Sequence, residues 1–280
     1  MNSKKDFEYS VLMGVYHKND PEFLKTAIDS LLNQTIPPEE YFIAVDGPVG
    51  DELQKILDDY QSRYGEVFTI KYFPVNRGIG AVMKDTLPLC RNEFIARMDA
   101  DDYSVPERIE KELAVFESDS ECVWVGSNVD EFIDDMEHPV SHVIMPETNE
   151  EILKFGRRRC PFRQPTLLFK KSAVIAAGGY RDFHRHEDYD LIERMLHNER
   201  DGGNGYNIQE VLVYVRISRD FYRRRGGVQL ALEDLKVKAD FLRKGYISFA
   251  DFIISGFGLA FVALMPGAFI EWFYKKFLRS

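Results

Sequence analysis

Met98-Asp99-Ala100-Asp101-Asp102 places three carboxylates within four residues, directly after an apolar run. Left unneutralised they would repel one another, and a cation resolves that conflict. Hard Mg2+ or Mn2+ prefers oxygen ligands and is held by one or two carboxylates plus substrate phosphates, which an Asp-x-Asp pair at a strand end can supply. The same residues would also serve as a solvated acidic turn leading into the next helix. His186-Glu187-Asp188-Tyr189-Asp190 is a second acidic knot, after Gly178-Gly179-Tyr180. Carboxylates at a helix start are favoured by the helix dipole, and the same placement suits a general base that takes a proton from an attacking hydroxyl. His184 and His186 have the spacing of a metal pair, or are hydrogen-bonded loop residues. Arginines gather at Arg157, Arg158, Arg159 and Arg163, at Arg181 and Arg185, and at Arg223, Arg224 and Arg225. Guanidinium forks match phosphate oxygens, so some of these can grip a diphosphate or a phosphate-bearing acceptor, while most belong to the surface.

These groups need a frame. Tyr9 to Tyr16 reads as a strand, and Asp20-Pro21 as the cap and first turn of a helix with Leu24, Ile28, Leu31 and Leu32 on one face. Tyr41 to Val45 is a second strand, and Leu53, Ile56, Leu57 and Tyr60 mark a second helix. Val67 to Phe73, Ile79 to Leu87 and Glu93 to Met98 continue as strand, helix and strand. Such alternation predicts a parallel sheet covered by helices, with ligands bound beyond the carboxyl ends of the strands, where Tyr16, Asp46, Asn76 and Asp99 fall. Ser104 and Glu107 around Pro106 predict a capping box opening the next helix. Cys122 to Val125, Gln164 to Phe169 and Val211 to Val215 read as further strands and Asp188 to Leu196 as a helix, with residues 129–161 as irregular excursions over one face.

With 280 residues, 45% of them hydrophobic, the chain can bury a full core. A net charge of -10 argues against nucleic acid as a partner. Three cysteines without paired spacing suggest neither a disulfide framework nor a zinc site, and point to a reducing compartment. Gly78-Ile79-Gly80 lacks a third glycine, which weighs against dinucleotide chemistry. No export signal is read at the N-terminus. Phe252 to Ile270 carries no charge, but Pro266-Gly267 interrupts it. With Trp272, Phe273, Tyr274 and Phe277 interleaved with Lys275, Lys276 and Arg279, it is expected as short helices lying at a membrane surface rather than one spanning helix. The division expected is a catalytic domain over 1–240 and a membrane-associating helical tail over 241–280.

The ordered set VLMGVYHKND, SLLNQT, FIAVDGP, NRGIGAVMK, ARMDADD, RQPTLLFKKSAVIAAGGY, HEDYDL and YRRRGG resembles the family 2 glycosyltransferases, in particular the amylovoran-type transferases of bacterial exopolysaccharide, capsule and O-antigen assembly. The resemblance implies a GT-A (Rossmann-like) fold, a mixed, mostly parallel sheet flanked by helices. It implies that Val15 and Tyr16 contact the nucleobase, that Asp46 accepts from it, and that Arg77 and Lys84 lie near the nucleotide. Asp99 would flank the donor and join Asp101, the principal ligand of Mn2+ or Mg2+, with Asp102 as a helper. Asp188 would be the catalytic base beside Glu187, and Arg223, Arg224 and Arg225 would contact the diphosphate or the acceptor. The activity implied is inverting transfer of one hexose, of galactose or glucose type, from a UDP-sugar to a saccharide or lipid-linked saccharide on the cytoplasmic face of a membrane, by a peripheral or monotopic enzyme. Two departures stand out. Gln164-Pro165-Thr166 occupies a place where relatives often carry a histidine, and the Q-x-x-R-W signature of processive members is absent, Tyr222-Arg223-Arg224-Arg225-Gly226 standing near its place. Rival readings are a nucleotidyltransferase that makes the sugar nucleotide and a membrane-attached binding module without turnover.

Overall fold

Tyr9–Val15 is a strand (β1) buried along both faces, as its unbroken apolar run requires in a parallel sheet. The computed structural model describes residues 7–181, 186–197, 203–221, 226–273 and 276. Glu40–Val45 (β2), Phe68–Tyr72 (β3) and Phe94–Asp99 (β4) follow, separated by helices Pro21–Leu32 (α1), Asp51–Tyr64 (α2) and Ile79–Thr86 (α3), which is the predicted alternation. The Asp20 carboxylate caps α1, accepting from the Glu22 and Phe23 amides at 2.9 and 3.3 Å, with Pro21 in the first turn.

Beyond β4 come Tyr103–Ser104 (β5), Arg108–Ser118 (α4), Cys122–Phe132 (β6), Ser141–Val143 (β7), Asn149–Gly156 (α5), Leu168–Lys170 (β8), Lys171–Ala176 (α6), Glu187–Leu196 (α7) and Asn204–Arg216 (β9). Among the described residues the sheet runs β3-β2-β1-β4-β8-β6-β9-β5, with β7 paired to β6. The first four strands are parallel, as are β6 and β9, and β8 joins the two blocks by antiparallel pairing to β4 and β6. One face is covered by α1, α2 and α4 through Leu24, Ile28, Leu57 and Leu113. The other is covered by α3, α6 and α7 through Val82, Val174 and Ile192.

The second half departs from the sequence expectations at several points. Ser104 does not open a capping box: it lies in β5 opposite Val213, and α4 begins only at Arg108. Gln34 supplies the cap instead. Its carbamoyl oxygen accepts from the Ile109 amide at 3.2 Å while its nitrogen donates to the Val105 carbonyl at 2.8 Å. Strands β6 and β9 are far longer than their apolar cores, because each satisfies the other's backbone through residues 122–132 and 204–216 despite register shifts near Ser127 and Asn128. Gln164–Thr166 is a 3-10 turn rather than strand, and Asn149–Gly156 is helical behind a complete Thr148/Glu151 capping box.

Past β9, Val228–Arg243 (α8) packs Val237 and Phe241 against Tyr189 of α7 and Ile247. Phe249–Asp251 (α9), a π-helical turn over Phe252–Phe257, Gly258–Ala263 (α10) and Gly267–Phe273 (α11) complete the tail. Among the described residues no helix is long and apolar enough to cross a membrane.

Candidate active site

Parallel register places Val15 opposite Val45 and Gly14 opposite Asp99, so the ends of β1, β2 and β4 form one row. Val15 is buried and Tyr16, the next residue, is half-exposed, its amide donating to Asn19 Oδ1 at 2.8 Å. Asp46 follows β2 and is buried; its two carboxylate oxygens accept from the Arg77 and Gly78 amides at 2.8 and 2.9 Å. Asp46 therefore ties the turn before α3 to the end of β2. Gly47 makes that approach possible, since it has φ of +85° and a Cβ there would lie 2.6 Å from the Asn76 nitrogen. The Arg77 guanidinium sits over the Phe73 ring and pairs with Asp85 at 2.6 Å, and Lys84 is exposed on α3.

Asp99 ends β4 with its side chain 39% exposed. Asp101 is more desolvated, and burial together with the nearby Asp99 pushes its carboxyl up to about 6. Asp102 is buried and accepts from the Arg216 amide at 2.8 Å; burial, then Asp101 and Asp99, raise its proton affinity well above the usual carboxylate range. Its carboxylate thus joins the segment to the end of β9. The Arg216 guanidinium closes this corner, stacked between Phe23 and Phe132 and donating to the Asp101 and Ile133 carbonyls at 3.3 and 3.1 Å.

Arg97, two residues before Asp99, is fully buried. It donates to the Leu12 and Met98 carbonyls at 2.6 and 3.2 Å and to Asp99 Oδ1 at 3.0 Å, and its charge is felt by Tyr180, Asp188 and Glu187. The Asp99 segment and the start of α7 thereby share one cation. Burial and the adjacent Glu187 raise the Asp188 carboxyl well above its ordinary range, while Arg97 and the Gln164 amide, which donates to Asp188 Oδ1, pull it back toward the ionised form. Gln164 also bonds the buried Tyr180 hydroxyl. Glu187 is buried and its proton affinity is raised by desolvation first. Its neighbour His186 caps α7 in the left-handed region, at φ of 64°, with Nε2 2.7 Å from Asp234 Oδ1 of α8. A non-glycine residue held there is strained, and such strain collects at working sites.

The chain matches the glycosyl transferase family 2 model over residues 10–185. It is 36% identical to UDP-Gal:alpha-D-GlcNAc-diphosphoundecaprenol beta-1,3-galactosyltransferase of Escherichia coli, over 97% of both chains. The protein is a family 2 glycosyltransferase. It is also 29% identical to the amylovoran biosynthesis glycosyltransferase AmsE of Erwinia amylovora, over 96% of this chain and 98% of the relative. The mannosyltransferase PcManGT from Pyrobaculum calidifontis, solved with GDP-Man and Mn2+, shares the GT-A fold at a TM-score of 0.64 and 12% identity, covering 93% of this chain and 74% of its own. Family membership sets aside the nucleotidyltransferase reading.

In this family 2 glycosyltransferase the structure brings Asp99, Glu187 and Asp188 around Arg97, with Asp101 beside Asp99 and Arg216, and sets Val15, Tyr16 and Asp46 along the same row of strand ends. Arg77 and Lys84 stand on the flank of α3. Arg223, Arg224 and Arg225, like His184, lie outside the described residues. Among the described residues no cluster of three or more His, Cys, Asp or Glu is arranged to hold a metal. Asp99 and Asp101 nonetheless suit a hard divalent ion: they are oxygen donors whose proximity raises the proton affinity of Asp101, and two protein ligands leave the remaining positions to phosphate oxygens and water. Arg97 and Arg216 escaped the sequence reading. The signal for Arg97 was a charged residue inside an otherwise apolar strand, which has to be paired when buried.

Proposed function

We propose that the protein transfers one hexose, of galactose or glucose type, from a UDP-sugar to a hydroxyl of a lipid-linked or growing surface-polysaccharide acceptor, with inversion at the anomeric carbon. The observation that carries this reading is that Arg97 pairs with Asp99 while its charge also acts on Asp188, linking the end of β4 to the start of α7. The donor and acceptor classes follow the E. coli relative, named for UDP-Gal and a diphosphoundecaprenol-linked GlcNAc. Val15 and Tyr16 would contact the nucleobase and Asp46 would accept from it; Arg77 and Lys84 would lie near the nucleotide, and Arg223, Arg224 and Arg225 are assigned to the diphosphate or the acceptor. Asp188 takes the acceptor proton as its oxygen attacks the face opposite the leaving diphosphate. Burial makes it a stronger base than a free aspartate, and Arg97 and Gln164 offset part of that rise in favour of the ionised form. Glu187 supports it through the shared start of α7. Asp101, with Asp99, would hold Mn2+ or Mg2+, which when bound supplies Lewis-acid neutralisation of the diphosphate; the Mn2+-bound mannosyltransferase supports this assignment.

Residues 1–240 carry the chemistry and 241–280 the attachment to the cytoplasmic face of a membrane. Phe249, Ile253, Phe257, Phe261 and Leu264 recur at helical spacing and are all more than two-fifths exposed, an apolar stripe suited to a lipid boundary. The test is Asp188→Asn. Transfer should disappear while UDP-sugar binding, read by calorimetry, persists, and wild-type product analysed by NMR should show an inverted anomer. Retained configuration, or a variant with near-native turnover, sinks the assignment.

A further inference from the structure

A cleft of about 720 Å3 opens between the C-terminal end of α5 and the start of the tail, lined by Lys154, Arg157, Arg158 and Arg159 among others and walled by Asp251 of α9. None of the residues assigned to donor or base lines it. Its acidic members are already engaged: Glu147 accepts from the Tyr206 hydroxyl at 2.7 Å, Glu151 completes the α5 capping box, and Asp251 pairs with Arg158 at 2.8 Å. Among the described residues neither Lys154 nor Arg157 makes an ion pair at bonding distance, Lys154 acting on Glu151 only through its field, and both are exposed. The dipole of α5 favours cations at its C-terminal end, but it does not explain why they line a concavity in a chain of net charge -10.

Two neighbours of the cleft indicate what it takes. On one side, Ile144 of its lining is exposed, and Asp251 leads directly into the stripe of Phe249, Ile253 and Ile254. On the other, the chain runs from Arg159 to Gln164, the partner of Asp188, a path of at most about 17 Å even if fully extended. Cys160, next to Arg159, already lies within the electrostatic reach of Asp188. Basic side chains thus stand between an apolar surface and the base. A free anion has no use for the apolar side, and a neutral lipid has none for the arginines.

We propose that this cleft holds the diphosphate of a lipid-linked acceptor, with Lys154 and Arg157 as its ligands and the hydrocarbon chain running out over the tail stripe. The proposal rests on the lipid-linked acceptor reading above. The diphosphate would then lie at headgroup level, with its sugar directed along Arg159–Gln164 toward Asp188.

The test uses the full chain and a double variant, Lys154→Gln with Arg157→Gln, both exposed positions whose loss should leave the thermal midpoint unchanged. Dodecyl diphosphate is titrated without donor. The wild type should bind it, and the double variant should bind it roughly tenfold or more weakly, as expected from the loss of charge-assisted hydrogen bonds. In transfer assays the wild type should prefer a sugar carried on an alkyl diphosphate over the same sugar as a plain alkyl glycoside. The double variant should lose that preference and keep the wild-type kcat on the glycoside. Equal binding of dodecyl diphosphate by both proteins overturns the proposal. So does a double variant that loses affinity for phosphatidylglycerol vesicles yet keeps the diphosphate preference, because the cleft would then read bulk headgroups. If the wild type binds dodecyl diphosphate through Lys154 and Arg157 but transfers to neither acceptor, the cleft assignment stands and the transfer reading fails. Transfer to both acceptors alike, without diphosphate binding, has the opposite meaning.

Discussion

Replacing Arg97 by methionine keeps much of the side chain's length and removes its charge. Three hydrogen bonds go with the charge, to the Leu12 and Met98 carbonyls and to Asp99. Glu187 and Asp188 also lose the cation that offsets them. Removing one partner of a buried ion pair costs about 3–5 kcal/mol. Water can reach the 39%-exposed Asp99 side chain, so the lower end, about 3 kcal/mol, applies. For a chain of this size that corresponds to a fall of roughly 6–12 °C in thermal midpoint. The catalytic consequence has a definite sign. Arg97 lowers the proton affinity of Asp188, so without it the base stays protonated to higher pH and activity is lost from the acid side. The acid limb of kcat against pH should therefore move to higher pH in Arg97→Met. Arg97→Lys keeps the charge but not the fork, and should shift the limb less while still losing stability. A folded Arg97→Met enzyme with the wild-type acid limb and an unchanged melting point would refute the shared-cation reasoning.

Gly47→Ala should displace the Asn76–Gly78 turn, because its Cβ would meet the Asn76 nitrogen at 2.6 Å and its φ of +85° is unsuited to alanine. A stability loss of about 1–3 kcal/mol in denaturant titration should accompany weaker UDP binding by calorimetry, and undiminished UDP affinity would separate Asp46 from the nucleotide. Glu193, fully buried on α7, has its carboxyl pushed up to about 8 by desolvation, against the pull of Lys238. The folded protein keeps that proton where the unfolded chain releases it near pH 4.5, so this contribution to stability is present at low pH and lost as pH rises toward 8. Glu193→Gln should therefore match the wild type below about pH 4.5 and melt progressively higher than it from there to pH 8; parallel melting curves across that window would contradict the burial argument.

Much of the fold was legible because β1, β2 and β4 are buried on both faces and so read as largely apolar runs, with Asp20-Pro21 marking the entry to α1. The second block was legible only in its apolar segments. Polar residues such as Ser127, Asn128 and Asn207 are buried there, and what makes them strand is a ladder between β6 and β9 that no local window contains. The same distinction runs through the site. Asp46, Asp99, Asp101 and Asp188 were conspicuous because each follows a strand or opens a helix, where local signals are strongest. The residues that govern their charge were not, since Arg216 reaches the Asp101 carbonyl and Gln34 caps α4 across separations of 115 and 75 residues. Arg97 is the instructive case, for its signal was local after all. A cation in a strand buried on both faces has to find acceptors within the fold, and β4 ends in a carboxylate beside a neighbouring strand, β1, whose backbone offers the carbonyl of Leu12. A charge at such a position is evidence that opposite charge is gathered nearby, and here that charge comprises the carboxylates of Asp99, Glu187 and Asp188.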